Sequence, residues 1–204
     1  MVNREQHRDR QQTEILDAAR AVFSERPFDD VRMAEIAQRA GVARATVFNH
    51  FESKRGLIDA ITAGVLRHYE SMLIEAIADV DHSTAALLRR LFVDMGIGIA
   101  PDRAFYRSVF RELARFELGI DEGTDGHETA NRCRDALAAL IRRGIDRNEF
   151  TEQFSPESCA AAFTHLANGT IHEWLWADDD DKDLVGRLNN TADLFLRALG
   201  RELR

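Results

Sequence analysis

Apolar residues return every three or four positions along almost the whole chain, and no segment alternates with period two for long enough to read as a strand. A stripe of that period is buried only along one side of a helix, so the chain is expected to be all-α, with about nine helices. Thr13 to Glu25 sets Ile15, Leu16, Ala19, Val22 and Phe23 on one face, and Pro27 with Asp29-Asp30 ends the pattern. A second helix starts near Arg32 and carries Met33, Ile36, Ala37 and Ala40, after which Gly41 supplies the left-handed residue that stops it. A third runs from about Ala43 to Asn49. Two short helices joined through a glycine turn form a helix-turn-helix.

Ser53 is the expected N-cap of a longer fourth helix, with Leu57, Ile61, Val65, Tyr69, Met72 and Leu73 in one stripe. The spacing predicts further helices over 83–100, 102–118, 128–143, 155–176 and 184–199, and a loop in the Gly- and Asp-rich stretch Gly119 to Gly126. The last two helices carry more apolar surface than one side can bury. The eighth sets Cys159, Phe163, Leu166, Thr170 and Trp174 on one face and His165, Gly169, His172 and Trp176 on the other. Such surplus predicts a homodimer, with His165, Gly169, His172, Trp176, Leu188 and Phe195 at its interface.

Charge is unevenly divided. Residues 1 to 62 hold ten basic and ten acidic side chains, so the formal net charge of −8 arises outside them. Within that third, Arg39 to Arg55 contains four basic residues and one acidic, with His50 among them, a local excess suited to phosphate. The longest apolar runs, such as Ile97 to Pro101, are far shorter than the roughly 20 residues a membrane-spanning helix needs. The polar start of the chain has no apolar segment behind it, and a cytoplasmic location is expected.

The stretch from Val31 to Leu57 resembles the DNA-binding segment of the TetR family of transcriptional regulators. Ile36, Ala37, Ala40, Gly41, Val42, Thr46, His50, Phe51, Ser53, Lys54 and Leu57 fall in the register of that family's pattern. Upstream, Ile15, Ala18, Ala19, Phe23 and Phe28 match its first helix and turn. The resemblance implies a DNA-binding domain over residues 1–52 and an effector-binding and dimerisation domain over 53–204. It implies a ligand-responsive regulator, usually a repressor, released from a near-palindromic operator by a small, mostly hydrophobic molecule.

Physical chemistry assigns the expected contacts. Ala43, Ala45 and Thr46 keep the third helix short-sided, so that its N-terminal end can enter the major groove. Arg44 there reaches base edges and pairs best with guanine, while Thr46 meets a phosphate or a thymine methyl. His50 and Lys54 are expected to position phosphate, Asn49 lies on the same short helix, and Arg32 is a further phosphate candidate. Val42, Val47, Phe51 and Leu57 read as core. Three positions depart from the family pattern: Phe48 stands where a tyrosine is common, Val31-Arg32 replace the usual capping residues so that the cap comes from Asp30 or is weak, and Ala43 replaces a serine.

Tyr69, Phe92, Met95, Tyr106, Phe110, Phe116 and Phe163 are the candidate effector contacts. The arginines at 103, 107, 111 and 115 read as a solvated face. No metal or cofactor is expected: His165 and His172 lack ligands at metal spacing, Asp178 to Asp183 lacks the pattern of a calcium loop, and Gly96-Ile97-Gly98 follows a helix rather than a strand. Cys133 and Cys159 read as buried small hydrophobes. The chain is not expected to be an enzyme. An effector-independent architectural DNA-binding protein and, less favoured, a helical enzyme are the alternatives; the first has no need of so large a C-terminal part, and the second lacks a nucleophile or phosphate motif.

Overall fold

The computed structural model describes the backbone of residues 2–117, 124–178 and 183–200, and the side chains of these except 2–5 and 115–117. Nine α-helices lie within the described residues: α1 Val2–Glu25, α2 Met33–Arg39, α3 Arg44–His50, α4 Lys54–Ala78, α5 Thr84–Ile99, α6 Arg103–Glu117, α7 Asp125–Asp146, α8 Pro156–Trp176 and α9 Leu184–Leu199. No strand occurs among them, only an isolated antiparallel bridge between Phe150 and Gly200. Most of the expected loop before α7 and most of the aspartate run after α8 lie outside the described residues.

Hydroxyl and carboxylate caps set several helix starts. The Ser53 hydroxyl accepts the Gly56 N–H at 3.0 Å, Ser83 accepts that of Ala86 at 3.2 Å, and Ser155 that of Ser158 at 3.1 Å. Asp183 accepts the Gly186 N–H at 2.9 Å and so begins α9. Each satisfies an N–H that the first turn leaves without an intrahelical partner. α1 begins at Val2, earlier than apolar periodicity indicates, and within the added stretch Gln6 to Arg10 are exposed and polar.

The chain divides into two units. The first comprises Met1–Val65 with Asp102–His127. Its core gathers Ile15, Phe23, Ile36, Val47, Leu57 and Phe105, each fully buried. Phe105 on α6 sits beneath the Arg20 guanidinium at 4.7 Å. Ser24 donates its hydroxyl to Asp102 at 2.5 Å, and Asp102 in turn accepts the Phe105 N–H at 3.2 Å, capping α6. Glu112 is buried and bonded to Arg55; burial raises its pKa, Arg55 opposes the rise and the neighbouring Asp59 adds to it. Of the arginines expected on a solvated face of α6, Arg111 is exposed and reaches the exposed Asp29 at 3.6 Å, while the side chain of Arg115 lies outside the described residues.

The second unit comprises Leu66–Pro101 with Glu128–Arg204. Phe92, Phe163 and Phe195 form its aromatic centre, with ring centroids 4.1 Å apart for Phe92–Phe163 and 5.4 Å for the edge-on pair Phe163–Phe195. Close approach of α9 to α5 requires Gly96: a Cβ there would meet Leu188 and the Val185 backbone at 3.2 Å. Arg143 on α7 donates to the carbonyls of Ala76, Ile77 and Asp79 at 3.2, 2.9 and 2.9 Å, placing a cation on the open C-terminal end of α4.

Candidate nucleic-acid interface

The interface is built on α2, the turn after it, and α3. Gly41 has φ +68°, in the left-handed region, and lets the Val42 N–H return to the Ala37 carbonyl at 3.0 Å. The chain then enters α3 with Ala43 as N-cap residue in an extended conformation. Val47 points inward and is fully buried, and Phe51 is buried just beyond. That anchoring leaves Ala43, Arg44, Ala45, Phe48 and Asn49 exposed, with Thr46 and His50 half-buried. A short helix thus presents small residues and one long cation at its N-terminal end, the shape that major-groove entry requires.

Arg44 makes no hydrogen bond or ion pair among the described residues. Its guanidinium instead lies over the Phe48 ring, 5.4 Å from the centroid. His50, at the other end of α3, contacts Gln11 of α1 at 3.1 Å.

Arg32 is exposed, and the cap it was expected to leave to Asp30 comes from elsewhere. Asp30 closes a 3-10 turn over Phe28–Asp30, while Glu35 accepts the Arg32 N–H at 2.8 Å from within α2. Glu35 also receives Arg26 at 3.1 Å, and these bonds, the backbone one foremost, hold its carboxyl below the usual range.

Lys54 corrects the sequence expectation. Its ammonium turns inward, donating to the carbonyls of Phe28, Val31 and Asp29 at 2.7, 3.0 and 3.3 Å and lying 4.4 Å from the centre of the Phe28 ring. Three ammonium protons facing three carbonyls leave no donor for a phosphate. Lys54 therefore fixes the turn that carries the chain from α1 into α2. Its partners lie more than twenty residues upstream, a pairing that local spacing does not encode.

The candidate effector residues are dispersed. Phe92 and Phe163 belong to the aromatic centre of the second unit, and Met95 in that unit is half-buried. Burial raises the phenol pKa of Tyr69, with Cys133 beside it. In the first unit Tyr106 is buried edge-on to Phe105 at 5.0 Å and Phe110 is half-buried. Burial raises the Tyr106 pKa too, against the influence of Arg20 and with that of Asp102. The side chain of Phe116 lies outside the described residues. The second unit also holds a groove of about 250 Å³ with an apolar floor of Met72, Ala76, Leu87 and Leu91, edged by Glu75, Asp79, Asp94 and Arg90. None of the candidate effector residues lines it, and the sequence carries no periodic signal for it.

Of the candidate dimer residues, His165, Gly169, His172 and Trp176 are exposed along one face of α8, with the His172 and Trp176 rings stacked at 4.4 Å. Leu188 and Phe195 are a correction: both are buried inside their own unit, Leu188 against α5 and Phe195 against Phe92 and Phe163. The surplus apolar face of α9 is satisfied there by α5, a helix distant in sequence. Leu194, 63% exposed, is the apolar residue that α9 turns outward. Cys133 and Cys159 are buried thiols, and burial pushes the pKa of Cys133 up to about 12, away from reactivity.

Comparison with known proteins agrees with this geometry. Residues 15–61 match the family model described as bacterial regulatory proteins, tetR family. The chain is 40% identical over 192 residues to the uncharacterised HTH-type transcriptional regulator YvdT of Bacillus subtilis (strain 168), covering 91% of this chain and 93% of that one. Its fold is similar to that of the transcriptional regulator FadR from Bacillus subtilis in complex with stearoyl-CoA, with TM-score 0.72 and 18% identity over 92% of this chain and 98% of the other. It is also similar to the SmeT–triclosan complex, with TM-score 0.71 and 21% identity over 95% and 93%; SmeT is the repressor of a Stenotrophomonas maltophilia multidrug efflux pump. The helix-turn-helix, the all-helical fold and the full-length likeness to YvdT place the chain in the TetR family of transcriptional regulators.

Proposed function

We propose that the protein is a homodimeric repressor that binds a near-palindromic operator and is released from it by a small, mostly hydrophobic molecule. The observation that carries this reading is the exposed end of α3, where Arg44 is free of other polar partners while Val47 and Phe51 lock the helix into the core. Arg44 and Phe48 face base edges; Arg32, Ala43, Thr46, Asn49 and His50 complete the contact surface, with Lys54 supporting it from within. Supporting the effector is the likeness to a regulator in complex with stearoyl-CoA, whose acyl chain is apolar although its coenzyme A half is charged, and to another in complex with triclosan. We place its contacts among Tyr69, Phe92, Met95 and Phe163 of the second unit, with the Tyr69 hydroxyl as polar anchor. Helix α4 contributes residues to both units, so a ligand that moves it also acts on the segment that begins beside α3.

The second copy is assigned to the exposed face of α8. Ser158, Ala162, His165, Gly169, His172 and Trp176 follow one another at helical spacing there, mixing small residues with one large ring, and Leu194 extends the surface onto α9. No described helix is long and apolar enough to cross a membrane, and the cytoplasm is the compartment this reading assigns. The test is titration of the purified protein onto duplexes chosen by the protein itself, first alone and then with apolar and acyl compounds. Release of the selected duplex by one class of compound supports the reading; binding that no compound alters leaves an architectural DNA-binding protein instead.

A further inference from the structure

We propose that Phe48 is a specificity-determining residue, acting as one unit with Arg44: its ring reads a thymine methyl and holds the Arg44 guanidinium in place to read a neighbouring guanine. The inference rests on the DNA-recognition reading and deepens it. Phe48 is 38% exposed on the outer face of α3, although Val47 beside it is fully buried. It has no hydroxyl with which to bond a phosphate. An apolar ring on a surface that meets DNA has one matching group in the major groove, the C5-methyl of thymine.

The geometry with Arg44 adds the second half. Helical side chains lean toward the N-terminus, so Phe48 leans back over the residue four positions earlier. That residue is Arg44, 5.4 Å from the ring centroid and with no other polar partner among the described residues. A free arginine samples many rotamers, and its loss of that freedom opposes base recognition. The ring limits the loss, and the guanidinium has no other polar partner among the described residues to give up when it meets a base.

Register follows from spacing. Four residues advance about 6 Å along a helix, and base pairs are spaced about 3.4 Å, so the two side chains address base pairs no more than about two steps apart. Each half-site is therefore expected to hold a guanine and a thymine within that distance.

The test uses the full chain, a randomised duplex library and four variants, each first checked for native helicity. The wild type should enrich a guanine and a nearby thymine. Arg44→Ala should flatten the guanine position alone, by about 5- to 150-fold. Phe48→Ala should flatten the thymine position and also weaken guanine discrimination by about two- to fivefold, the scale of an exposed cation–π contact. Phe48→Leu should keep part of the thymine preference and weaken guanine discrimination by the same two- to fivefold as Phe48→Ala, whereas Phe48→Tyr should keep both. Replacing the selected thymine by uracil deletes only the methyl. It should weaken wild-type binding about fourfold and leave Phe48→Ala unaffected, which a merely structural role for the ring does not produce. Indifference of the wild type to uracil, or an unchanged sequence preference in Phe48→Ala, overturns the inference while leaving DNA recognition intact. A wild type that enriches no sequence overturns the underlying reading and this inference with it.

Discussion

Lys54 carries a full positive charge beside a DNA-binding helix, yet its ammonium faces the carbonyls of Phe28, Asp29 and Val31. Lys54→Ala is therefore expected to lower folding stability by about 1.5–3 kcal/mol, the range for hydrogen bonds to a charged group. It should leave the slope of log affinity against log salt unchanged; a slope shallower by about one would return Lys54 to phosphate contact. Chemical melts and a salt titration measure the two. Glu35 makes a pH-dependent prediction. Its carboxyl is held below the ordinary value of 4.5 by the Arg32 N–H and Arg26, so its stabilisation is present above that value and is lost as pH falls through the lowered one. The melting temperature of Glu35→Gln should lie below that of the wild type at neutral pH, and the gap should close in acid. The short helix that exposes Arg44 and half-buries Thr46 and His50 was legible because these residues stand in a fixed local register. The partners of Lys54 and Glu35 were not, since a turn set by tertiary packing determines them.

Between α2 and α3 the chain turns at Gly41, where a Cβ would meet nothing within 4 Å but the backbone sits at φ +68°. Gly41→Ala should therefore cost about 1–2 kcal/mol of conformational strain, without steric displacement. Gly96 is the reverse case: its backbone is helical, but a Cβ would press on Leu188 and Val185 of α9 at 3.2 Å. Gly96→Leu should destabilise by at least about 1–3 kcal/mol through overpacking of α5 against α9. Urea midpoints of the two variants check both figures, and a neutral Gly96→Leu would mean that α9 is not held against α5. Helices with an apolar stripe were readable from sequence in type and approximate span. The start of α1 was not, because the exposed polar residues Gln6 to Arg10 leave no periodic apolar trace.

The whole molecule separates two kinds of aromatic residue that sequence alone treats alike. Phe195 closes the aromatic centre of the second unit, and Phe195→Ala should cost about 3–5 kcal/mol of folding stability. Trp176, 42% exposed on α8, stands on the face assigned to the second copy. Trp176→Glu should leave the thermal melt of the monomer nearly unchanged and shift the sedimenting species from dimer toward monomer. A dimer that survives this change, and Gly169→Arg as well, would place the interface elsewhere. Amphipathic surplus in α8 and α9 was visible in the sequence, but which side faces its own unit depends on α5, some ninety residues away. Recognition of a particular DNA sequence by two copies of this chain is tested by comparing its affinity for the duplex enriched from a random library with that for a scrambled duplex at the same salt. An inverted repeat bound by two copies about 10³-fold or more tightly than the scrambled control is expected. Equal affinity for the two duplexes would contradict it.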